Sequence, residues 1–217
     1  MTSTIGVVQV KGGVGRSTIA TNLAGSLPGA VALVDCDMPQ GTSASWAAIR
    51  EQQGKTGTLT IKTAGNHVEL VKLVEILSSS HEYVVLDCPP RIAEMTKAAL
   101  ILSDLCLVPL GASAAEVWAT SDLLTTIKAA SQVKPTVDAR IVWNRYRAST
   151  SSAQELSAAV SDGLGLAEMK NKLGLRVAYS DAFARGMTVL EWNDKAARDE
   201  MTKLVDEIAT ILSHGGK

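Results

Sequence analysis

The chain has few aromatic residues, no long apolar stretch and no signal-peptide pattern, and each shortage argues against a class of protein. Only 4% of its 217 residues are aromatic, which argues against a binding surface of stacked aromatic rings. No uncharged apolar stretch approaches the roughly 18 residues of a membrane-spanning helix. Because the N-terminus MTSTIGVVQVKGG lacks the basic and apolar regions of a signal peptide, we expect a cytoplasmic protein with no membrane contact.

Cysteine and histidine are scarce, and the net charge is close to zero. Cys36, Cys88 and Cys106 each lie in an apolar run and form no CxxC pair, which favours buried, reduced thiols. The three histidines stand at no metal-ligand spacing, so a structural zinc site is not expected. With a net charge of −1 the chain has no overall attraction to DNA, and any DNA contact needs a local basic patch.

Short apolar runs alternate with helical patterns along the chain. Strands are predicted at Ile5–Val10, Ala30–Val34, Leu59–Thr63, Tyr83–Leu86, Leu105–Leu110, Ala139–Trp143 and Arg176–Ala178. Helices are predicted at about Ser17–Leu27, Gly41–Gln53, Val68–Leu77, Ala114–Ala130, Ala153–Leu173 and Lys195–Leu212. Continuous apolar strands separated by helices predict a doubly wound, mostly parallel α/β sheet covered on both faces, in a single domain over residues 1–217.

The strongest functional signal is the segment KGGVGRST, residues 11–18, directly after the first predicted strand. Its glycines let backbone N–H groups close around phosphates at a helix N-terminus. Ser17 is expected to offer its hydroxyl to Mg²⁺, and Thr18 to contact a phosphate. The predicted nucleotide-binding loop consists of Gly12, Gly13, Val14, Gly15, Arg16, Ser17 and Thr18.

The loop resembles that of the ParA/MinD group of deviant Walker A ATPases, which reads KGGxGK[ST][ST]. Lys11 matches the family's signature lysine, and the resemblance implies that it acts catalytically across an ATP-sandwich dimer, on the partner's phosphates. Where the family has a catalytic lysine against the β- and γ-phosphates, this chain has Arg16, whose guanidinium is charged but planar and bulkier. A tolerated natural variant, an engineered impairment and a degenerate ATPase are all open explanations, and we expect weak hydrolysis.

Two acidic segments follow predicted strands. VDCDMPQG, residues 34–41, resembles the family's DxDPQG motif with Met38 inserted, which implies that Asp37 orients or activates the attacking water. Asp35 would support the Mg²⁺ shell or the loop. YVVLDCPP, residues 83–90, ends an apolar strand with Asp87, which we expect to hold Mg²⁺ through water. Carboxylates beside a metal and a phosphate cradle suit phosphoryl transfer, which needs positioning and charge neutralisation.

Three later segments extend the resemblance over roughly residues 5–200. VPLGAS at 108–113, with Trp118, is similar to the family's VPxxPSxxDxW segment, although Glu116 departs from it. Asn144 ends a predicted strand where the family has an adenine-reading asparagine. Residues 181–191 resemble a segment that ends in G-x-x-V-x-E. Each segment is modest alone, but their order is specific.

The resemblance implies a short ParA-type ATPase with ATP and Mg²⁺ as cofactors, a homodimer when ATP is bound, and non-specific DNA binding in the bacterial nucleoid. A cargo-adaptor protein would stimulate hydrolysis, and the cargo would be a plasmid, a chromosome region or a protein organelle such as a carboxysome. A MinD-like or other protein-directed switch ATPase is the main alternative. However, Lys195–Leu212 mixes acidic residues into its polar face, which favours packing against the sheet over membrane binding. An iron–sulfur carrier and a small-molecule ligase of related fold are weaker alternatives.

Basic residues near the last predicted strands are candidates for DNA contact. The alternative is a solvated face paired with Glu155, Glu168 and Asp181. Phosphate contacts release counterions, so such binding is expected to be independent of sequence and steeply salt-dependent. The basic residues are Arg145, Arg147, Lys170, Lys172, Arg176 and Arg185, of which Lys170, Lys172, Arg176 and Arg185 are the predicted DNA-binding residues.

Overall fold

The computed structural model describes residues 2–38, 40–55, 57–111, 113–147, 160 and 164–215, and within these a parallel sheet of seven strands. The strand order is β3-β2-β4-β1-β5-β6-β7, so the chain winds outward from β1 in both directions. This confirms the predicted doubly wound sheet. The strands are β1 (Ser3–Val7), β2 (Val31–Asp35), β3 (Leu59–Thr63), β4 (Tyr83–Asp87), β5 (Leu105–Leu110), β6 (Ala139–Trp143) and β7 (Ala167–Glu168).

Helices cover both faces of the sheet. One face carries α1, α2, α6 and α7, and the other carries α3, α4 and α5. A short 3-10 turn at Val189–Glu191 precedes the last helix. The helices are α1 (Arg16–Ala24), α2 (Thr42–Gln52), α3 (His67–Leu77), α4 (Ala93–Leu102), α5 (Ala114–Ser131), α6 (Val177–Phe183) and α7 (Lys195–Gly215).

Each face of the sheet has its own apolar core, because successive strand residues point to opposite sides. Leu33 packs with α1 and α2, whereas the next residue, Val34, packs with α3 and α4. The apolar stripe of α7, including Met201, Leu204 and Ile208, is fully buried in the first core. The prediction that this helix packs against the sheet is confirmed. In the described part of the chain, no helix is both long and apolar enough to cross a membrane.

Three predicted elements differ from the observed ones, and helix α4 was missed. The strand predicted to reach Val10 ends at Val7, because the chain turns into the glycine-rich loop. The strand predicted at Arg176–Ala178 is wrong: these residues lead into α6, and a short apolar run does not distinguish a strand from a helix start. The helix predicted at Ala153–Leu173 is wrong in its second half, which contains β7; residues 153–159 and 161–163 lie outside the described residues.

The late segment around Gly186 is fixed to the two helices that flank the glycine-rich loop. Arg50 on α2 donates to the Gly186 carbonyl at 3.0 Å and to Glu191 at 2.7 Å. Asn22 on α1 accepts the Val189 N–H at 2.8 Å. Gly186 has φ +62°, and a side chain there would meet the backbone of Arg50, so only glycine fits. These contacts fix α1 and α2 beside the loop.

Candidate functional site

The glycine-rich loop connects β1 to the N-terminus of α1. Gly13 and Gly15 have φ of +74° and +94°, in the left-handed region that glycine adopts without strain. Gly15 is the N-cap residue of α1, and no described side chain caps this helix. A helix N-terminus with uncapped N–H groups at a glycine-rich turn is an anion-binding site.

Asn144 contacts this loop directly. Its amide nitrogen donates to the Val14 carbonyl at 2.8 Å, and its oxygen accepts the Arg145 N–H at 3.0 Å. A Cβ on Gly15 would collide with the Asn144 amide nitrogen, so the two residues pack without room for a side chain. Asn144 therefore connects the end of β6 to the loop. Its adenine contact stays a prediction.

The Arg16 side chain folds back toward the start of the loop. One terminal nitrogen donates to the carbonyls of Gln9 at 2.7 Å and Lys11 at 2.6 Å. The other lies 4.0 Å from the Asp37 carboxylate. Burial lowers the pKa of the Arg16 guanidinium from its ordinary value, while the charges of Asp87 and Asp37 oppose that shift. The Arg16 side chain is only 7% exposed.

Three aspartates gather beside the loop because β2 and β4 are neighbours in register. Asp35 pairs with Asp87 across the two strands. Asp35 is fully buried and accepts the N–H groups of Asp37 at 2.9 Å and Ala44 at 2.8 Å, which orders the turn into α2. Burial raises the pKa of Asp37, an effect that Arg16 opposes and Asp35 adds to. The structure thus brings together the predicted acidic residues and the loop.

Asp87 has one carboxylate oxygen engaged and one without a partner. Its Oδ2 accepts the Ser43 hydroxyl at 2.6 Å, whereas its buried Oδ1 has no hydrogen-bond partner among the described residues. Burial raises the pKa of Asp87 to about 6, and the Ser43 hydrogen bond and the nearby Ser17 hydroxyl offset part of that shift. A buried, unpartnered carboxylate oxygen beside a serine hydroxyl fits a hydrated Mg²⁺.

Ser43 is a site residue that sequence reasoning missed. It lies in the first turn of α2 and is fully buried against Asp87. In the sequence it resembles any serine at a helix start. The only available signal was its position two residues after the acidic segment 34–41.

Three of the four predicted DNA-binding residues lie together, around a cavity of about 490 Å³ near the end of β6. Lys170 is exposed, Lys172 lies 4.3 Å from the ring centre of Tyr146, and Arg176 forms an ion pair with Glu200 at 2.6 Å. Arg185 lies apart from them, past the other end of α6, over the ring of Trp192. The solvated-face alternative named other acidic partners than Glu200, and one of them, Glu155, lies outside the described residues.

The three thiols are buried and free, as predicted. A contact with Cys36, together with burial, raises the pKa of Cys88, and burial raises the pKa of Cys106 to about 12. Among the described residues, no group of three His, Cys, Asp or Glu side chains is placed to hold a metal ion.

A second, larger cavity of about 1000 Å³ lies at the opposite edge of the sheet, under the end of α7. It contains none of the predicted site residues. Its basic groups are engaged, since Arg140 pairs with Asp138 at 2.8 Å and Lys134 donates to the Ser103 carbonyl at 2.6 Å. Ligands of open parallel sheets bind at the carboxyl edge of the strands, which is the edge of the glycine-rich loop.

Comparison of sequences identifies relatives along most of the chain. A family profile described as an AAA domain, AAA_31, matches residues 56–139. Maintenance of carboxysome distribution protein A of Halothiobacillus neapolitanus is 26% identical over 210 residues, which cover 94% of this chain and 95% of that protein. Chromosome partitioning protein ParA of Myxococcus xanthus is 31% identical over 162 residues, covering 56% of each chain.

Solved structures share the fold at low sequence identity. An ATP complex of Cyanothece McdA has a TM-score of 0.77 at 14% identity, with 96% of each chain covered. MinD of Pyrococcus horikoshii with Mg-ADP has a TM-score of 0.75 at 15% identity, with 100% of each chain covered. Cobyrinic acid a,c-diamide synthase of Mycobacterium smegmatis, with an ATP analogue and magnesium, has a TM-score of 0.79 at 18% identity, covering 100% of this chain and 98% of that one.

The fold alone supports different activities, so the assignment depends on the sequence relatives and the site together. The relatives named above are a carboxysome-distribution protein and a ParA protein. The glycine-rich loop, the paired aspartates of β2 and β4, and the parallel strand order agree with them. The chain is therefore similar in sequence to ParA and carboxysome-distribution proteins, and it shares the fold of McdA and MinD.

Proposed function

We propose that this protein binds ATP with Mg²⁺ at residues 11–18, hydrolyses it slowly, and uses the nucleotide state to position a cargo. The observation that carries the proposal is an uncapped helix N-terminus facing three aspartates at the carboxyl edge of the sheet. The N–H groups of the loop suit phosphate oxygens, and the carboxylates suit the cation that accompanies them.

Ser17, Asp35 and Asp87 are proposed to hold Mg²⁺. The unpartnered Oδ1 of Asp87 supports this, because a buried acceptor without a donor fits a bound water or cation. When bound, Mg²⁺ supplies charge neutralisation at the phosphates. Asp35 orders the turn through two backbone N–H groups, and Ser43 orients the Asp87 carboxylate.

Asp37 is proposed to orient the attacking water. It follows the metal-side aspartate by two residues and lies at the rim of the site, with 18% of its side chain exposed. A carboxylate in that position can accept a hydrogen bond from water while Asp35 holds its backbone. Gly12, Gly13, Val14, Gly15 and Thr18 are proposed to bind the phosphates, and Asn144 the adenine.

The ATP-bound form is proposed to be a homodimer through the same edge of the sheet, with Lys11 acting in trans. Met38, Ile92 and Trp118 follow β2, β4 and β5 at that edge and are 45%, 43% and 74% exposed. Large apolar side chains exposed around a functional loop indicate an interaction surface. The Lys11 ammonium forms no ion pair with a described residue, so its charge is available to a partner's phosphates.

The cargo is proposed to be a carboxysome-like protein organelle, a plasmid or a chromosome region, with an adaptor protein that stimulates hydrolysis and with nucleoid DNA as the track. The relatives named for carboxysome distribution and chromosome partitioning support this class. A protein-directed switch ATPase without DNA binding is the alternative. Its MinD-like membrane form has less support, because the apolar stripe of α7 lies in the core.

We expect Gly15→Ala to weaken ATP binding by at least about tenfold. Alanine at φ +94° is strained by roughly 1–2 kcal/mol, and its Cβ displaces Asn144 from the loop. The measurement is calorimetric titration of ATP with Mg²⁺. Gly165→Ala is the matched control, because Gly165 also has positive φ but open space around it. Equal affinities for both variants would contradict the loop assignment.

DNA binding is tested by charge reversal at Lys170 and Lys172. With ATP present, we expect the double change to Glu to weaken DNA binding and to reduce the slope of log affinity against log salt by about 2, one per lysine. Arg176 is left unchanged because it holds Glu200. Lys72→Glu, on exposed α3 of the other face, is the control. Affinity that is unmeasurable at low salt, or insensitive to salt, favours the protein-directed alternative.

A further inference from the structure

The Arg16 side chain is already hydrogen-bonded to backbone carbonyls and is not free to contact a phosphate. A single terminal nitrogen spans two carbonyls at the start of the loop, those of Gln9 and Lys11, although Arg16 itself begins α1 at the loop's end. The side chain therefore closes the loop on itself. Because the Arg16 side chain is almost fully buried, moving it away would leave the buried Gln9 carbonyl and the half-buried Lys11 carbonyl without this donor.

The same guanidinium also faces the acidic cluster. Its other terminal nitrogen is 4.0 Å from Asp37, so the cation balances a carboxylate that burial disfavours. Arginine suits this arrangement better than lysine, because a planar fork with several donors serves separate acceptors from a fixed position. On the opposite side of the loop, Asn144 holds the Val14 carbonyl. The carbonyls of Gln9, Lys11 and Val14, just before and within the loop, are thus all engaged.

We propose that Arg16 is a positioning residue that braces the phosphate loop from beneath, through the carbonyls of Gln9 and Lys11, and leaves the charge that meets the terminal phosphate to Lys11. The second half of this inference rests on the proposed ATP-binding function. The brace itself concerns the nucleotide-free protein. On this proposal, the arginine at position 16 has a structural role that differs from the phosphate contact of the family's lysine.

The brace is tested in the nucleotide-free chain by thermal unfolding. We expect Arg16→Gln to lower Tm by roughly 4–8 °C, because the Gln9 and Lys11 carbonyls lose a charged donor and Asp37 loses a neighbouring positive charge. Arg16→Lys should recover a large part of this loss. The matched control Lys11→Gln removes a cation from the same loop and should leave Tm unchanged within about 1 °C. An unchanged Tm for Arg16→Gln would overturn the brace.

The nucleotide arm separates bracing from phosphate contact. A brace affects every nucleotide that uses the loop, so Arg16→Gln should weaken ATP and ADP by the same factor, within about twofold. Lys11→Gln should weaken ATP more than ADP. A loss for Arg16→Gln that is at least about tenfold larger for ATP than for ADP would overturn the proposal.

Two further measurements keep the test decisive. If Arg16→Gln does not fold, amide hydrogen exchange at residues 9–15 in Arg16→Lys replaces it: faster exchange than in the unaltered chain supports the brace, and equal exchange overturns it. If the unaltered chain binds no nucleotide, the proposed function fails, while the unfolding and exchange results still decide whether Arg16 braces the loop.

Discussion

Replacing Asp37 by alanine is expected to lower the rate of ATP hydrolysis by roughly 10²- to 10³-fold. The Asp37 carboxylate lies at the rim of the site beside the loop, where it can hold the water that attacks the terminal phosphate. Nucleotide affinity should not fall, because the change removes a negative charge near a polyanion. The measurement is steady-state phosphate release at saturating ATP and Mg²⁺, together with a calorimetric ATP titration.

The control for this change is Asp206→Ala, which removes an exposed carboxylate from α7, away from the loop. It should leave both turnover and affinity unchanged. If Asp37→Ala hydrolyses ATP as fast as the unaltered chain, Asp37 has no role in orienting water. Arg16→Lys, measured as a separate variant, tests the residue of the loop. Unchanged turnover in both Asp37→Ala and Arg16→Lys would contradict the assigned site.

Replacing Lys11 by glutamine is expected to weaken the ATP-dependent dimer by at least about 100-fold. A charge that meets a partner's phosphates in a desolvated interface leaves those phosphates uncompensated when it is removed, which costs several kcal/mol. Affinity of the monomer for ADP should change little. Sedimentation velocity across a range of protein concentrations measures the dimer constant with a slowly hydrolysed ATP analogue and Mg²⁺.

Lys55→Gln is the matched control for Lys11→Gln, because Lys55 is also a half-exposed lysine but lies 3.8 Å from Glu191, beside α2. It should dimerise as the unaltered chain does. A Lys11→Gln variant that dimerises with the same constant would show that Lys11 does not act in trans.

The sequence predicts the parallel sheet and the loop well because both depend on local patterns. Buried strands such as β2 and β4 are continuous apolar runs that end in aspartate, and their adjacency follows from the doubly wound order. The juxtaposition of Asp35 and Asp87 is thus predictable. Ser43 is not, because its contact with Asp87 spans 44 residues and depends on how α2 packs.

The orientation of Arg16 also lies beyond sequence reasoning. The motif predicts a cation at position 16 facing phosphates, whereas its contacts are decided by which carbonyls the folded loop turns inward. Similarly, the motif predicts that Asn144 reads adenine, and the structure shows in addition that its amide donates to the Val14 carbonyl. Local sequence defines which groups are available. Tertiary packing decides which of their hydrogen bonds are already made.

The most direct test of the account is the mass of the protein in solution, measured by size-exclusion chromatography with light scattering. With Mg²⁺ and a slowly hydrolysed ATP analogue at saturation, we expect twice the 22.8 kDa of one chain, and without nucleotide the mass of a single chain. A calorimetric titration in the same buffer establishes saturation. A single-chain mass with nucleotide bound would contradict an ATPase that switches by dimerisation.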